Sequence, residues 1–186
     1  MKADAVLDFW FGREGEPGYG GFREEWFRKD AEFDREVRDR FEALYEEAVA
    51  GNLDGWREDA RSCLALVILL DQFPRNMFRG ESRSYVTDKK AQETAEYAVD
   101  HAVDRELPEF QRMFLYMPLM HSENLSHQRR SVELFRGLGE GDAESYAVRH
   151  MEIVERFGRF PHRNDVLGRP TTAEEAEFLK EPGSSF

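Results

Sequence analysis

The chain has 186 residues, a length that suits a single compact domain. Its 38 acidic and 26 basic side chains leave a net charge of −12, which argues against a general nucleic-acid binder and against attraction to an anionic membrane. One cysteine, Cys63, excludes an intramolecular disulfide framework and a cysteine-built metal site. No apolar signal segment opens the sequence and the longest apolar run is too short to span a bilayer, so we expect a cytoplasmic protein.

Helical periodicity dominates the first half of the chain. The glycine-rich segment 12–21 carries acidic side chains, which would repel a phosphate, and is predicted to be a plain mobile loop. Apolar residues spaced by three and four positions predict a helix over 33–48, which Gly51 ends. The segment 60–73 is apolar on nearly every side and predicts a helix buried at the centre of a bundle. Small apolar residues over 91–103 predict a helix that contacts a neighbour closely.

The same spacing continues in the second half of the chain. It predicts a helix over 110–120, which Pro118 is expected to kink or to end early. Further helices are predicted over 125–138 and over 143–157, and the glycine-rich turn 137–141 separates them.

The end of the chain carries a helix-start signal, because Thr172 and Glu175 have the spacing of a capping box. No convincing strand or hairpin signal separates the predicted helices. Short connections between roughly seven or eight helices imply antiparallel neighbours. The sequence therefore predicts one all-α domain over residues 1–186, built as an antiparallel helical-hairpin array.

Two segments, 70–76 and 159–164, resemble one another, since in each an apolar helix runs into Phe-Pro and then into arginine and asparagine. The proline is expected to force the preceding phenylalanine out of helical geometry and so to end the helix. A structural explanation suffices for the polar residues: Arg75 would offset Asp71 at the unfavourable end of its helix, and asparagine closes turns.

A functional explanation stays open beside it. Four arginines lie in and around the second segment of an otherwise acidic protein, namely Arg156, Arg159, Arg163 and Arg169. The planar fork of arginine suits a carboxylate or a phosphate. If the two segments converge, their side chains would line a small anion pocket. The candidate ligand-binding residues are Arg75, Asn76, Arg159, His162, Arg163 and Asn164.

A second candidate feature is a pair of histidines on apolar helix faces. His121 continues the apolar face of its helix, and His150 lies on the apolar face of the helix predicted over 143–157. With Glu123 these histidines form a candidate acid–base catalytic set. The alternative has satisfied core histidines, with Ser122 as a helix N-cap and Glu123 in the first helical turn. Neither a metal nor a cofactor is predicted, because no histidine has the helical spacing of a zinc or di-iron site.

Four ordered motifs, 6–12, 69–76, 120–123 and 156–164, resemble the bacterial family known as domain of unknown function 924. The match continues into the capping box and covers nearly the whole chain. The resemblance implies an all-α fold similar to tetratricopeptide-repeat arrays. It implies no activity, substrate or cofactor.

Two functions follow as hypotheses. The first is a site for a small anionic molecule, with histidine and glutamate as acid–base groups; histidines on apolar faces suit such an enclosed site. The alternative is an interaction module without catalysis, in which an arginine and an asparagine clamp a peptide carboxylate in an open groove. A third possibility is that the motifs only hold the fold together.

Overall fold

The computed structural model describes residues 2–139 and 142–185, and in this part of the chain it contains helices, turns and loops but no strand. The α-helices are α1 (Lys2–Phe11), α2 (Ala31–Val49), α3 (Ala60–Val67), α4 (Phe73–Met77), α5 (Asp88–Asp100), α6 (Glu109–Met120), α7 (Leu125–Arg136), α8 (Ala143–Phe157) and α9 (Ala173–Phe178). The 3-10 turns are Glu24–Trp26, Asp54–Glu58, Ser82–Tyr85, Val103–Glu106 and Pro161–Arg163, and a π-helical turn, Ile68–Gln72, joins α3 to α4. The predicted all-α helical array is confirmed. None of the described helices is long and apolar enough to cross a membrane.

Helix α3 lies at the centre of the array, where it contacts α1, α5 and α6, while α2 packs on α4 and α7 packs on both α6 and α8. Aromatic rings fill the space between these helices. The fully buried ring of Trp10 lies 5.7 Å from the ring of Phe73 and 5.7 Å from that of Phe114. Cys63 is buried in the same core, and its burial raises the pKa of the thiol to about 12, so it is inert at neutral pH.

Most predicted helices are present close to their predicted bounds. The periodic segment 33–48 lies within α2, and 143–157 coincides with α8. The capping box of α9 is also confirmed, because Thr172 Oγ1 accepts from the Glu175 backbone N–H and the Glu175 carboxylate accepts from the Thr172 N–H. Of the predicted turn 137–141, the last two residues lie outside the described part of the chain.

The prediction that the helix ends at the first Phe-Pro, Phe73-Pro74, is wrong. Phe73 keeps helical angles of −60° and −38°, and the chain continues into α4. Proline has no N–H, so in a regular helix Pro74 would leave the carbonyl of Leu70 without its partner. A π-turn, in which the Phe73 N–H bonds to the carbonyl of Ile68, widens the helix before the proline ring. Thr87 Oγ1 then donates to the Leu70 carbonyl at 2.6 Å.

Replacing Thr87 with valine tests this account of the proline. The variant keeps the shape of the side chain but leaves the buried Leu70 carbonyl unsatisfied, so we expect the free energy of unfolding to fall by about 1–3 kcal/mol. Thr94→Val is the matched control, since Thr94 is equally buried and donates to the carbonyl of Lys90, which a helical N–H also serves. Urea unfolding should show a loss below about 1 kcal/mol for the control. Equal losses for the two variants would contradict the account.

Two other helices end differently from their predictions. Helix α6 continues past Pro118 to Met120, so the proline does not end it early. Helix α5 ends at Asp100, short of the predicted 103, because Ala102 takes left-handed backbone angles with φ 58°.

The glycine-rich segment 12–21 forms turns that pack on α6. The Tyr19 ring contacts the Phe110 ring edge-on at 5.6 Å. Gly20 has φ +70° and approaches so closely that a Cβ there would lie 2.9 Å from Phe110 Cζ. Glycine is therefore required at this position both by its backbone angles and by the neighbouring ring.

Candidate functional site

The two Phe-Pro segments meet at Asp88, in the first turn of α5. Arg75 donates to both oxygens of the Asp88 carboxylate, at 2.9 and 3.1 Å. From the second segment, Arg163 Nη1 lies 3.5 Å from Asp88 Oδ2. The Tyr85 ring lies beneath both guanidinium groups, at 5.6 Å from Arg75 and 4.9 Å from Arg163. The convergence on which the predicted anion pocket depends is therefore present.

Asp71 and His121 form a buried pair next to this point. The Asp71 carboxylate is fully buried and lies 2.8 Å from His121 Nδ1 and 3.3 Å from Arg75 Nη1. Burial acts to raise the pKa of Asp71, but the charges of Arg75 and His121 outweigh it and lower the pKa below its usual value. Burial lowers the pKa of His121, although Asp71 opposes this. At neutral pH, then, Nδ1 donates to the carboxylate and Nε2 carries the lone pair.

The remaining predicted histidines lie close to Phe160. The ring centre of His150 is 6.4 Å from that of His121 and 5.6 Å from that of Phe160. His162 lies 5.8 Å from the Phe160 ring. Burial is the main cause that lowers the pKa of His150 to about 3 and that of His162 to about 4. These histidines are therefore neutral at pH 7.

Arg163 is a buried cation whose donors are poorly used. The residue is only 6% exposed, and its guanidinium lies over the Phe160 ring at 4.5 Å and the Tyr85 ring at 4.9 Å. Within residues 2–139 and 142–185, its Nε has no hydrogen-bond partner. Burial and the nearby charge of Arg75 lower the pKa of Arg163, which Asp88 partly offsets. A buried donor without a partner costs free energy, so this group is the unusual feature of the site.

Three of the predicted ligand-binding residues have partners elsewhere. Asn76 donates to Asp34 Oδ1 of α2 at 2.7 Å. Arg159 donates to both oxygens of the Glu175 carboxylate, at 2.7 and 2.9 Å, and the Asn164 amide lies 3.3 Å from the same carboxylate. These contacts fix α4 to α2 and the second Phe-Pro segment to α9.

Glu123 is held in an ion pair outside any helix. Its carboxylate accepts two hydrogen bonds from Arg169, at 2.7 and 2.9 Å, and one from the Phe160 N–H at 2.8 Å. Burial acts to raise the pKa of Glu123, but these bonds lower it below its usual value. The prediction of Ser122 as a helix N-cap, with Glu123 in the first helical turn, is wrong, because the N-cap of α7 is Asn124 and Glu123 precedes the helix.

A sequence model of the family described as "Bacterial protein of unknown function (DUF924)" matches residues 6–183. The chain belongs to the DUF924 family. A solved structure of a protein of unknown function from Agrobacterium tumefaciens is similar to it, with a TM-score of 0.87 and 44% sequence identity, over 96% of this chain and 97% of that one. No protein of curated function matches the chain significantly.

Three residues of the cluster in this DUF924 chain, Asp71, Tyr85 and Asp88, were not among the predicted site residues. Asp71 carried a usable signal, because a carboxylate inside the apolar run of α3 and the π-turn must find a partner. Tyr85 and Asp88 carried no such signal. Tyr85 ends the 3-10 turn before α5 and Asp88 opens α5, and in the sequence both look like ordinary surface residues.

The side chains of the cluster differ in their exposure. The side chains of Arg75, Asp88 and His121 are 21%, 12% and 16% exposed, whereas that of Asp71 is fully buried. The Asp71 carboxylate is therefore inaccessible to solvent, whereas the other three side chains are partly exposed. Within the described residues, no group of three or more histidine, cysteine, aspartate or glutamate side chains is placed to hold a metal ion.

Proposed function

We propose that this chain binds a small anionic molecule, a carboxylate or a phosphate, beside Arg163 and moves a proton on it with His121. The observation that carries the proposal is the buried guanidinium of Arg163, whose Nε has no hydrogen-bond partner in the described part of the chain. Burying a cation is costly unless acceptors surround it. A bound anion would supply the acceptor that the protein itself does not.

The Asp71–His121 pair supports the proton-transfer part of the proposal. A histidine that donates its Nδ1–H to a carboxylate has its ring orientation and its tautomer fixed. Its Nε2 is then the base, and the carboxylate stabilises the imidazolium that forms. His150, whose ring lies 6.4 Å away, is the second proposed acid–base group. Glu123 is proposed only as a positioning residue, since Arg169 and the Phe160 N–H hold it.

Thermal unfolding in the presence of acetate, inorganic phosphate or sulfate tests the binding. An anion present at a hundred times its Kd should raise the Tm by about 5–10 °C. Arg163→Met keeps an unbranched apolar stem but removes the guanidinium, and it should abolish the shift. Arg28→Met is the matched control, because Arg28 forms only exposed ion pairs with Glu24 and Asp30. A shift that survives in Arg163→Met, or no shift of the unmodified chain by any anion, would refute the proposal.

An interaction module remains the second candidate, and one surface feature favours it. Phe22 and Phe27 are 75% and 59% exposed, and their rings stack at 5.8 Å beside Trp26. Phe22 also lines a cleft of about 670 Å³ next to α1. In this alternative a tetratricopeptide-repeat-like array in the cytoplasm holds a peptide at that surface. A Tm shift caused by peptides alone, and abolished by Phe22→Ser, would favour it over the anion site.

A further inference from the structure

We propose that the ligand of the Arg163 site is a small monocarboxylate that binds together with one proton, and that His121 takes up this proton. The inference rests on the proposed function, and it names the class and the charge of the ligand.

The charges around Arg163 balance one another within the protein. The charged and titratable groups around Arg163 come from α4, α5, α6, the flanking turns and α8, and they are Asp71, Arg75, Tyr85, Asp88, His121, Glu123, His150 and His162, with Arg169 paired to Glu123. Three carboxylates in this set, those of Asp71, Asp88 and Glu123, offset three guanidinium groups, those of Arg75, Arg163 and Arg169. The histidines are neutral, so these groups together carry no net charge.

The charge that a ligand would add favours a carboxylate over a phosphate ester. A carboxylate brings one negative charge into a largely buried cluster, and a single proton restores neutrality. A phosphate ester brings about −1.5 to −2 at pH 7 and would leave the cluster negative after one protonation. Since uncompensated charge is costly in a buried site, the carboxylate is favoured.

The surroundings of the Arg163 guanidinium limit the shape of a ligand. Its Cζ atom lies 4.9 Å from the centre of the Tyr85 ring and 4.5 Å from that of the Phe160 ring, so two aromatic rings restrict the space for a ligand. Nη1 faces Asp88, which leaves the Nε edge for the ligand. A carboxylate and a phosphate can each accept two parallel bonds from such an edge, but the phosphate brings further oxygen atoms into the space beside the rings, and the smaller planar carboxylate does not.

His121 is better placed than His150 to take up the proton. His121 Nδ1 is bonded to the Asp71 carboxylate, while His150 Nδ1 faces a neutral carbonyl, that of Tyr146. Asp71 is therefore placed to stabilise an imidazolium at His121. The positive charge of Arg163 is among the causes that lower the pKa of His121. A carboxylate bound to Arg163 removes that repulsion, and His121 Nε2 can then accept a proton at neutral pH.

Calorimetric titration of the full chain with acetate and with methyl phosphate tests the inference. Titrations at pH 7 in imidazole and in Tris, which differ in their heats of ionisation, report the number of protons taken up. We expect close to one proton per acetate, a Kd for acetate that rises by up to about tenfold per pH unit above pH 7, and weaker binding of methyl phosphate. Binding of acetate without proton uptake, or tighter binding of methyl phosphate, would overturn the inference and leave the proposed anion site standing. No binding of either anion overturns both.

His121→Asn assigns the proton. Asparagine can still donate a hydrogen bond to Asp71 but has no atom that titrates at neutral pH, so acetate should bind with no proton uptake and with a flat pH profile. His101→Asn is the control, because His101 is exposed and stacks on Tyr97 outside the site. Full proton uptake by His121→Asn would overturn the assignment. The proton count of the unmodified chain decides the main point even where a variant does not fold.

Discussion

Replacing Asp71 with asparagine is expected to lower the free energy of unfolding by about 3–5 kcal/mol, because it removes one partner from a buried set of charges. The carboxylate is fully buried and faces the guanidinium of Arg75 at 3.3 Å and the imidazole of His121 at 2.8 Å. Asparagine has the same shape, so no cavity is created. The loss therefore reports the missing charge and the hydrogen bonds that the carboxylate accepts from His121 and Gln72, while the guanidinium of Arg75 keeps Asp88 as a counterion.

Urea unfolding at pH 7 measures this loss, and Glu36→Gln provides the matched control. Glu36 and Arg40 also form a carboxylate–guanidinium pair with i, i+4 spacing, at 2.9 Å, but both side chains are about half exposed. Solvent screens such a pair, so the control should lose less than about 1 kcal/mol. A loss of this small size for Asp71→Asn would mean that the buried pair contributes little to folding.

The same variant gives a prediction for acid. Arg75 and His121 hold the pKa of Asp71 below its usual value, so the unfolded chain binds a proton at this position before the folded chain does. The stability that Asp71 contributes is complete above about pH 4 and is lost as the pH falls through the folded pKa. The stabilities of the two proteins should therefore converge only in strong acid. A gap that closes already near pH 6 would contradict this.

The fold was predictable where its determinants are local. The apolar spacing over 33–48 and the capping box at Thr172 and Glu175 lie within the elements that they specify, and both are present. The continuation of the helix through Pro74 is not local. It depends on Thr87, seventeen positions from the carbonyl of Leu70 that it satisfies, and no pattern near the proline shows this partner.

The candidate site shows the same division. The types of residue that it needs could be chosen from the sequence, and Arg75, His121 and Arg163 lie together. Asn76 and Arg159 could not be separated from them, because only the folded chain shows that Asp34 and Glu175 are their partners. A polar side chain next to a proline is equally suited to a ligand and to a neighbouring helix.

Acidification is expected to destabilise the chain well above the pH range of its carboxylates. Burial lowers the pKa of His150 to about 3 and that of His162 to about 4, whereas an unfolded histidine titrates near 6.5. As the pH falls below about 6.5 the unfolded chain binds protons that the folded chain cannot, so stability is lost. At pH 4.5 His150 alone should have cost about 2–3 kcal/mol relative to pH 7.

His150→Leu isolates this contribution. Leucine keeps an apolar contact with Phe160 and does not titrate, so the slope of unfolding free energy against pH between 6.5 and 4.5 should fall by about 1.4 kcal/mol per pH unit. The contribution of His162 remains in the variant. His101→Leu is the control and should keep the full slope, because His101 is exposed.

The pH range separates this effect from that of Asp71. A lowered histidine pKa removes stability from about pH 6.5 down to the folded pKa, which is about 3 for His150, while a lowered carboxylate pKa removes it only below about pH 4. Urea unfolding at half-unit steps of pH above 4 therefore reports the histidines without the contribution of Asp71. A slope unchanged by His150→Leu would mean that His150 has the same pKa in the folded and the unfolded chain. The cluster around Arg163 would then gain a positive charge as the pH falls through that ordinary value, and in acid a carboxylate could bind there without bringing a proton.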